Sequence, residues 1–398
     1  MNLWQNKNFV RFFSGQIIAF LGLALFTTSL PFLILYLDGN ASHISGVQSA
    51  FILPQIFILL FGGVLVDRLP KKLVVIAIDI LRATCLLIIA ILIFTSNIKI
   101  WHVFVLTFTL GLLNTIYRPT LKAFLPAIIQ KEYLIKANSF RSMAREISEM
   151  IGPVIAAFLV GAIGIFVTFG ITGISFILAA ILYSFIFIEK RTNVEKQTSI
   201  FKEFIEGFKV LLIHKWLGLS ILIASFVNIG IASFDVIILP LYAEYYFDGI
   251  ESFGLLLSSM AVGAFLGALF ISRKTHIENR MLKYYLFMCG MGLCLLLLAI
   301  VHTLFLAMFL MVLIGFSITS FVILWDSTVQ ELIEEKYLGR VTSLQMFGGL
   351  LFLPVGYYIF GFIIDYAGVQ TSLITSALFI LISALSGIFI QHINKIHI

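Results

Sequence analysis

Charge is what this sequence has least of. Asp, Glu, Lys and Arg together make up 12% of its 398 residues, while 61% are hydrophobic; soluble domains carry about 25% charged residues. So few charges cannot cover an apolar excess of this size in water, which excludes a soluble enzyme. A disordered chain needs the opposite balance and is excluded as well. Cysteine is nearly absent: Cys85, Cys289 and Cys294 lie in apolar runs without metal-ligand spacing, which rules out a disulfide scaffold and predicts no metal site. There is no Gly-x-x-x-x-Gly-Lys-Ser/Thr run and no cytoplasmic segment long enough for a nucleotide-binding domain. No cofactor is expected, nor an enzyme. An integral membrane protein remains.

What is present is a series of apolar runs. A helix needs about 20 apolar residues to cross the hydrocarbon core. Segments of that kind lie near 10–37, 45–66, 73–95, 101–125, 141–161, 164–188, 216–246, 252–271, 281–301, 303–328, 343–366 and 370–391. Near-uniform apolarity with 29 glycines favours packed helices over a barrel, whose strands alternate in short segments. The first run lacks a small-residue cleavage site and reads as a span. The fold class expected is therefore all-α, with twelve spans.

The net charge of +6 invites a nucleic-acid partner, but its distribution argues against one. With the N terminus inside, the inner loops hold Lys7, Arg68, Lys71, Lys72, Lys131, Lys136, six basic residues from Lys190 to Lys215, Arg273, Lys274, Arg280, Lys336, Arg340 and Lys395, while the outer loops hold Lys99 alone. That asymmetry sets topology, and predicts both termini in the cytoplasm of a cell-membrane protein. The longest inner connection, 189–215, separates a bundle over 1–188 from one over 216–398. Within it Phe201, Phe204, Ile205, Phe208, Leu211 and Leu212 share one helical face opposite Lys202, Glu203, Glu206 and Lys209, as in a helix lying in the membrane interface.

The two halves repeat. Lys131-Glu132-Tyr133-Leu134 corresponds to Glu335-Lys336-Tyr337-Leu338, 204 residues later, and at that offset Lys136 meets Arg340, Ser139 meets Ser343, Gly152 meets Gly356 and Gly161 meets Asp365. Pro153 falls on Tyr357 and Pro354 on Met150, so the match is partial. Two repeated six-helix bundles imply a cleft holding the substrate near the bilayer midplane, with alternating access by rocking.

After the second run stands Gly62-Gly63-Val64-Leu65-Val66-Asp67-Arg68-Leu69-Pro70-Lys71-Lys72. Its glycines allow close helix approach, Asp67 suits a helix N terminus, and its cations suit the cytoplasmic lipid surface. This segment resembles the motif between helices two and three of the major facilitator superfamily. Gly111 to Pro119 with Leu125-Pro126, Leu324 to Gln330, Tyr337 to Ser343 and Pro354-Val355-Gly356 resemble the macrolide-efflux and siderophore-exporter branch. Gly152-Pro153 resembles the motif associated with antiporters, although Val154-Ile155-Ala156-Ala157 lacks the glycines that often follow. The resemblance implies two pseudo-symmetric six-helix bundles and drug:proton antiport. It also implies a gate built from Gly62, Gly63, Asp67, Arg68, Lys71, Lys72 and the region of Arg340. In the second half Ile271 and Ser272 occupy the Asp and Arg positions, so the contact would rest on Asp67.

Charges inside lipid call for a partner or a role. Asp235 sits mid-span with no basic residue within a turn or two, and would take a proton from one side and release it to the other, or accept a cationic substrate. Arg145 and Glu149, four apart, read as a self-neutralising pair, with Glu146 offset towards the cleft. Asp79 and Arg82, three apart, read as an ion pair. Arg118 would pair with an acid on another helix or modulate one. Asp326 lies towards the cytoplasmic end of its span and reads as a gate or surface contact. Glu244 and Asp365 fall near outer ends, where an acid meets water.

Polar side chains in the spans are few, while phenylalanine numbers 40. A cleft of that composition suits a lipophilic or amphipathic small molecule better than a sugar. The expectation is a monomeric secondary transporter exporting such a compound, for instance an antibiotic, in exchange for protons. A same-fold carrier of a siderophore, lysophospholipid or metabolite is one alternative; a non-transporting scaffold or sensor is the other.

Overall fold

The computed structural model describes residues 3–61, 70–187, 215–274 and 277–393. Gly62, Gly63, Asp67, Arg68 and the interfacial helix expected over 201–212 lie outside the described residues. Among the described residues the regular structure is all helical, without a strand. The helices run α1 (Lys7–Tyr36), α2 (Ala41–Phe61), α3 (Lys71–Phe94), α4 (Ile100–Ile128), α5 (Leu134–Ser184), α6 (Lys215–Ser233), a π turn (Phe234–Ile238), α7 (Leu239–Tyr246), α8 (Ile250–Ser272), α9 (Arg280–Leu298), α10 (Leu304–Leu332), α11 (Glu335–Leu351) and α12 (Leu353–Ile393). Among the described residues, nine helical stretches are long and apolar enough to cross a membrane, with mean hydropathy from 1.5 to 2.6. Their outward faces are apolar: Phe158 is 70% exposed and Phe305 84%. In water such a surface would aggregate; in a bilayer it is the solvated face.

Local chemistry sets the helix ends. Asn6 caps α1, its side-chain oxygen accepting from the backbone N–H groups of Asn8 at 2.9 Å and Phe9 at 3.2 Å. Pro70, which has no N–H to leave unpaired, precedes α3. The carboxylate of Asp365 caps α2 by accepting from the N–H groups of Ala41 at 2.9 Å and Ser42 at 3.0 Å. Hydroxyls with no water to bond turn back on their own helix, as Thr168 does to Gly164 and Thr172 to Thr168.

Two irregularities depart from the expected spans, and a third falls where boundaries between spans were expected, near 161–164 and 366–370. The run expected over 216–246 carries a π turn, in which the N–H of Leu239 bonds the carbonyl of Phe234. Pro240 follows directly, and its missing N–H removes the ordinary helical donor at that point. The run expected over 343–366 is divided at Phe352, because Pro354 lacks the N–H that would continue α11 into α12. Finally, α5 and α12 each join two helices across a glycine in a conformation that other residues rarely adopt: Gly164 (φ 83, ψ 163) and Gly368 (φ 82, ψ 169).

The chain forms two compact units, one of Met1–Gly39 with Ala50–Ile200, the other of Asn40–Ser49 with Phe201–Ile398. In the first, α5 packs on α1 and α3, and α3 on α4. In the second, α8 and α9 pack on α10, while α12 packs on α6 and α9. Glycines set the closest approaches, and they recur at the repeat offset. A Cβ on Gly111 would lie 2.1 Å from the carbonyl oxygen of Phe51, and one on Gly315 would lie 1.9 Å from that of Met260. A Cβ on Gly152 would meet Ala24 at 2.4 Å, and one on Gly356 would meet Ile229 at 2.4 Å. The kink glycines 164 and 368 keep the same spacing.

Candidate functional site

In the first unit the spacing of Asp79 and Arg82 yields the ion pair it suggests, at 3.2 Å and fully buried. The structure adds partners from other helices. Arg82 donates to Asn114 Oδ1 at 2.8 Å, and its guanidinium stacks 3.9 Å over the ring of Tyr117. Tyr117 donates to Asp79 Oδ2 at 3.3 Å, and its hydroxyl lies 3.3 Å from that of Tyr183. A buried ion pair is tolerated when its remaining lone pairs and protons are occupied in this way. The cluster ties α3, α4 and α5 together.

Arg145 behaves differently from its expected pairing. Its nearest acid is Glu146, at 2.7 Å, with Glu149 at 3.7 Å, and all three side chains are more than half exposed. Helical spacing favours the i+4 partner, but a long, solvated guanidinium also reaches the adjacent carboxylate. Glu146 is therefore held by Arg145 instead of standing apart. Arg118 has no ion pair among the described residues. Gly152 is a packing residue against α1, followed by Pro153 within α5. Lys72 donates to the carbonyls of Ser184 and Ile186, both at 2.7 Å, at the end of α5; a cation at a helix C terminus is favourable there. Lys71 opens α3, and Arg340 lies on α11, its side chain outside the described residues.

The second unit holds the cavity. It measures about 840 Å³ and is lined by α6, α9, α10 and α11, within the range of small-molecule sites. Its walls mix aliphatic and aromatic side chains, with Met288, Phe321, Trp325, Met346 and Tyr284 among them, and the polar Ser225, Asn228, Gln330, Thr342 and Gln345. The ring of Tyr284 lies 5.8 Å from Phe321 and 5.6 Å from Trp325. Asp326 is the sole charged residue of the described lining. Asp235 is not part of the lining; it sits on the π turn, four residues beyond the lining residue Ile231, with Oδ1 shut from solvent and without a hydrogen-bond partner. π turns inside helices recur at functional sites. Sequence reading missed the aromatic wall and the π turn. Tyr284, Phe321 and Trp325 look like any apolar span residue until the helices are placed, whereas Pro240 was a visible signal of a helix irregularity.

The profile of the Major Facilitator Superfamily matches residues 12–352. The chain belongs to the major facilitator superfamily. It is a multi-pass membrane transporter and not an enzyme, and it binds a small-molecule substrate. Macrolide efflux protein A of Streptococcus pyogenes is 25% identical, over 99% of this chain and 98% of its own. The Staphyloferrin A transporter of Staphylococcus aureus (strain NCTC 8325 / PS 47) is 25% identical, over 71% of this chain and 72% of its own. The crystal structure of the nucleoside transporter NupG superposes with a TM-score of 0.71 at 16% identity, covering 98% of both chains; at that identity it shares the major facilitator fold alone.

Proposed function

We propose that this major facilitator exports a lipophilic or amphipathic small molecule, drug-like in size, by proton antiport with alternating access. The proposal takes twelve crossings of the cell membrane, both termini in the cytoplasm and a monomer. The cavity in the second unit carries it: about 840 Å³ in volume and walled by aromatic and aliphatic side chains interspersed with Ser225, Asn228, Gln330, Thr342 and Gln345, it suits an amphipathic molecule. Similarity to macrolide efflux proteins over nearly the full chain supports the outward direction. Asp235, with one carboxyl oxygen shut from solvent and without a hydrogen-bond partner, is the group that would carry the proton.

Nile red, a neutral lipophilic dye, tests the reading. Cells expressing the protein should hold less dye than cells with empty vector, and collapse of the pH gradient should erase the difference. The variant Asp235→Asn should match empty vector. Efflux that survives loss of the gradient removes proton coupling, and efflux equal in the variant removes Asp235.

An anionic cargo such as a siderophore is the second reading. Similarity to the Staphyloferrin A transporter favours it.

A further inference from the structure

The α6 wall of the cavity holds one polar side chain whose orientation is fixed. Asn228 lines the cavity, partly exposed, and its Nδ2 donates to the backbone carbonyl of Gly349 on α11 at 2.7 Å. That carbonyl belongs to the last turn of α11, which ends at Leu351, and carbonyls there have no donor further along the helix. A carbonyl only accepts, so the amide cannot turn over, and its own oxygen faces away from Gly349. Packing on both sides holds the two helices in register. Phe226 stacks on Phe352 at 5.6 Å, and a Cβ on Gly348 would lie 2.7 Å from Ser225 Oγ. The Oδ1 of Asn228 accepts from no described residue and is not shut from solvent. Ser225, one turn away on α6, offers it no donor, since its hydroxyl proton goes to the Ile221 carbonyl at 2.8 Å. Donation through Nδ2 polarises the amide and strengthens its oxygen as an acceptor. Around it the α6 lining is apolar, with Ile221, Ala224, Val227 and Ile231. A charged donor would lose its hydration against such a surface, whereas a neutral hydroxyl loses far less.

We infer that the cargo is an amphiphile carrying a neutral hydroxyl group, which donates to Asn228 Oδ1, and that Asn228 selects for that group. The inference rests on reading the cavity as the cargo site, and names the class of molecule that site takes. A molecule without a donor that covers this oxygen leaves it unpaired, at the cost of a lost hydrogen bond. Selection therefore comes from a penalty on the wrong molecule as much as from a bond to the right one. The Gly349 carbonyl is the positioning group, because it keeps the amide from presenting its N–H edge to the cargo.

Two neutral dyes test this: Nile red with a 2-hydroxyethyl group in place of one N-ethyl group, and the methyl ether of that alcohol. They share a ring system and differ in whether the side-arm oxygen carries a proton. Binding to the purified full-length protein in detergent is measured by equilibrium dialysis, against empty micelles. Wild type should bind the alcohol about tenfold more tightly than the ether, the scale of one neutral hydrogen bond. Asn228→Leu should bind the two dyes equally, with its affinity for the ether unchanged. Equal binding of both dyes by wild type, binding of neither, or a preference that survives in Asn228→Leu overturns the inference. So does a folded variant that loses both dyes. The wild-type comparison needs no variant, and Asn228→Ala reads the same contact should the leucine variant fail to fold. Nile red export in cells, measured separately, reports on the export reading: an alcohol preference that depends on Asn228 without any export would sink that reading and leave this site standing. Export of Nile red by a protein that binds alcohol and ether alike would do the reverse.

Discussion

Arg82 lies 3.9 Å over the ring of Tyr117 while its guanidinium reaches Asp79 at 3.2 Å. The two residues come from different helices, and Tyr117 closes the arrangement by donating to the same carboxylate at 3.3 Å. Removing the guanidinium leaves a buried carboxylate with one phenol for company. Arg82→Ala should therefore cost about 3–5 kcal/mol, visible as a large drop in the thermal unfolding temperature of the purified protein. The double variant Asp79→Asn with Arg82→Gln, which removes both charges, should recover part of the loss. Unfolding of Arg82→Ala at the wild-type temperature would show that the cluster contributes nothing to stability.

The kink glycines invite a comparison within one helix. Nothing lies within 4 Å of a Cβ built on Gly164 or Gly368, so conformation alone calls for glycine there. Alanine at either site should cost about 1–3 kcal/mol, and by similar amounts, because the two kinks have nearly the same angles. Gly170, also on α5 and also open, has no positive φ. Gly170→Ala should leave stability unchanged or raise it by up to about 1 kcal/mol. Thermal unfolding of the three single variants decides this; a destabilised Gly170→Ala beside a neutral Gly164→Ala would contradict it.

Close helix approach gives a different glycine phenotype. A Cβ on Gly315 would press within 1.9 Å of the backbone carbonyl oxygen of Met260, and one on Gly263 within 1.8 Å of that of Val312. Backbone cannot rotate away as a side chain can, so α8 and α10 would have to separate. Gly315→Val and Gly263→Val should both reduce folded yield severely on size-exclusion chromatography. A monodisperse wild-type-like peak from either variant would mean that the helices part at little cost.

Proton carriage and cargo binding should separate at Asp235. Asp235 stands outside the cavity lining, so Asp235→Asn should abolish gradient-driven dye efflux while the purified variant still binds Nile red as wild type does. Paired transport and binding measurements would read both effects. Loss of binding with loss of transport would place Asp235 at the cargo instead.

Legibility of the site followed covalent distance. Asp79 with Arg82 was readable because residues three apart share a helix face wherever the helix goes. Asn114, Tyr117 and Tyr183, which complete that cluster, sit on α4 and α5, and no sequence spacing reports how far those helices slide against α3. Arg145 shows the limit even within a helix, since side-chain length let Glu146 compete with the better-spaced Glu149.

Composition alone established the solvent of this protein, because so few charges cannot keep so much apolar surface in water. The repeat was equally legible, and the paired glycines 111 and 315, 152 and 356, and 164 and 368 show its physical content: two copies of one packing and bending pattern. Tertiary structure alone decided that Asp326 lines the cavity of the second unit and that Asp235 does not. Periodicity fixes which side of its own helix a residue occupies, but what that side faces depends on the register between helices, which is set by side chains scattered over the whole unit.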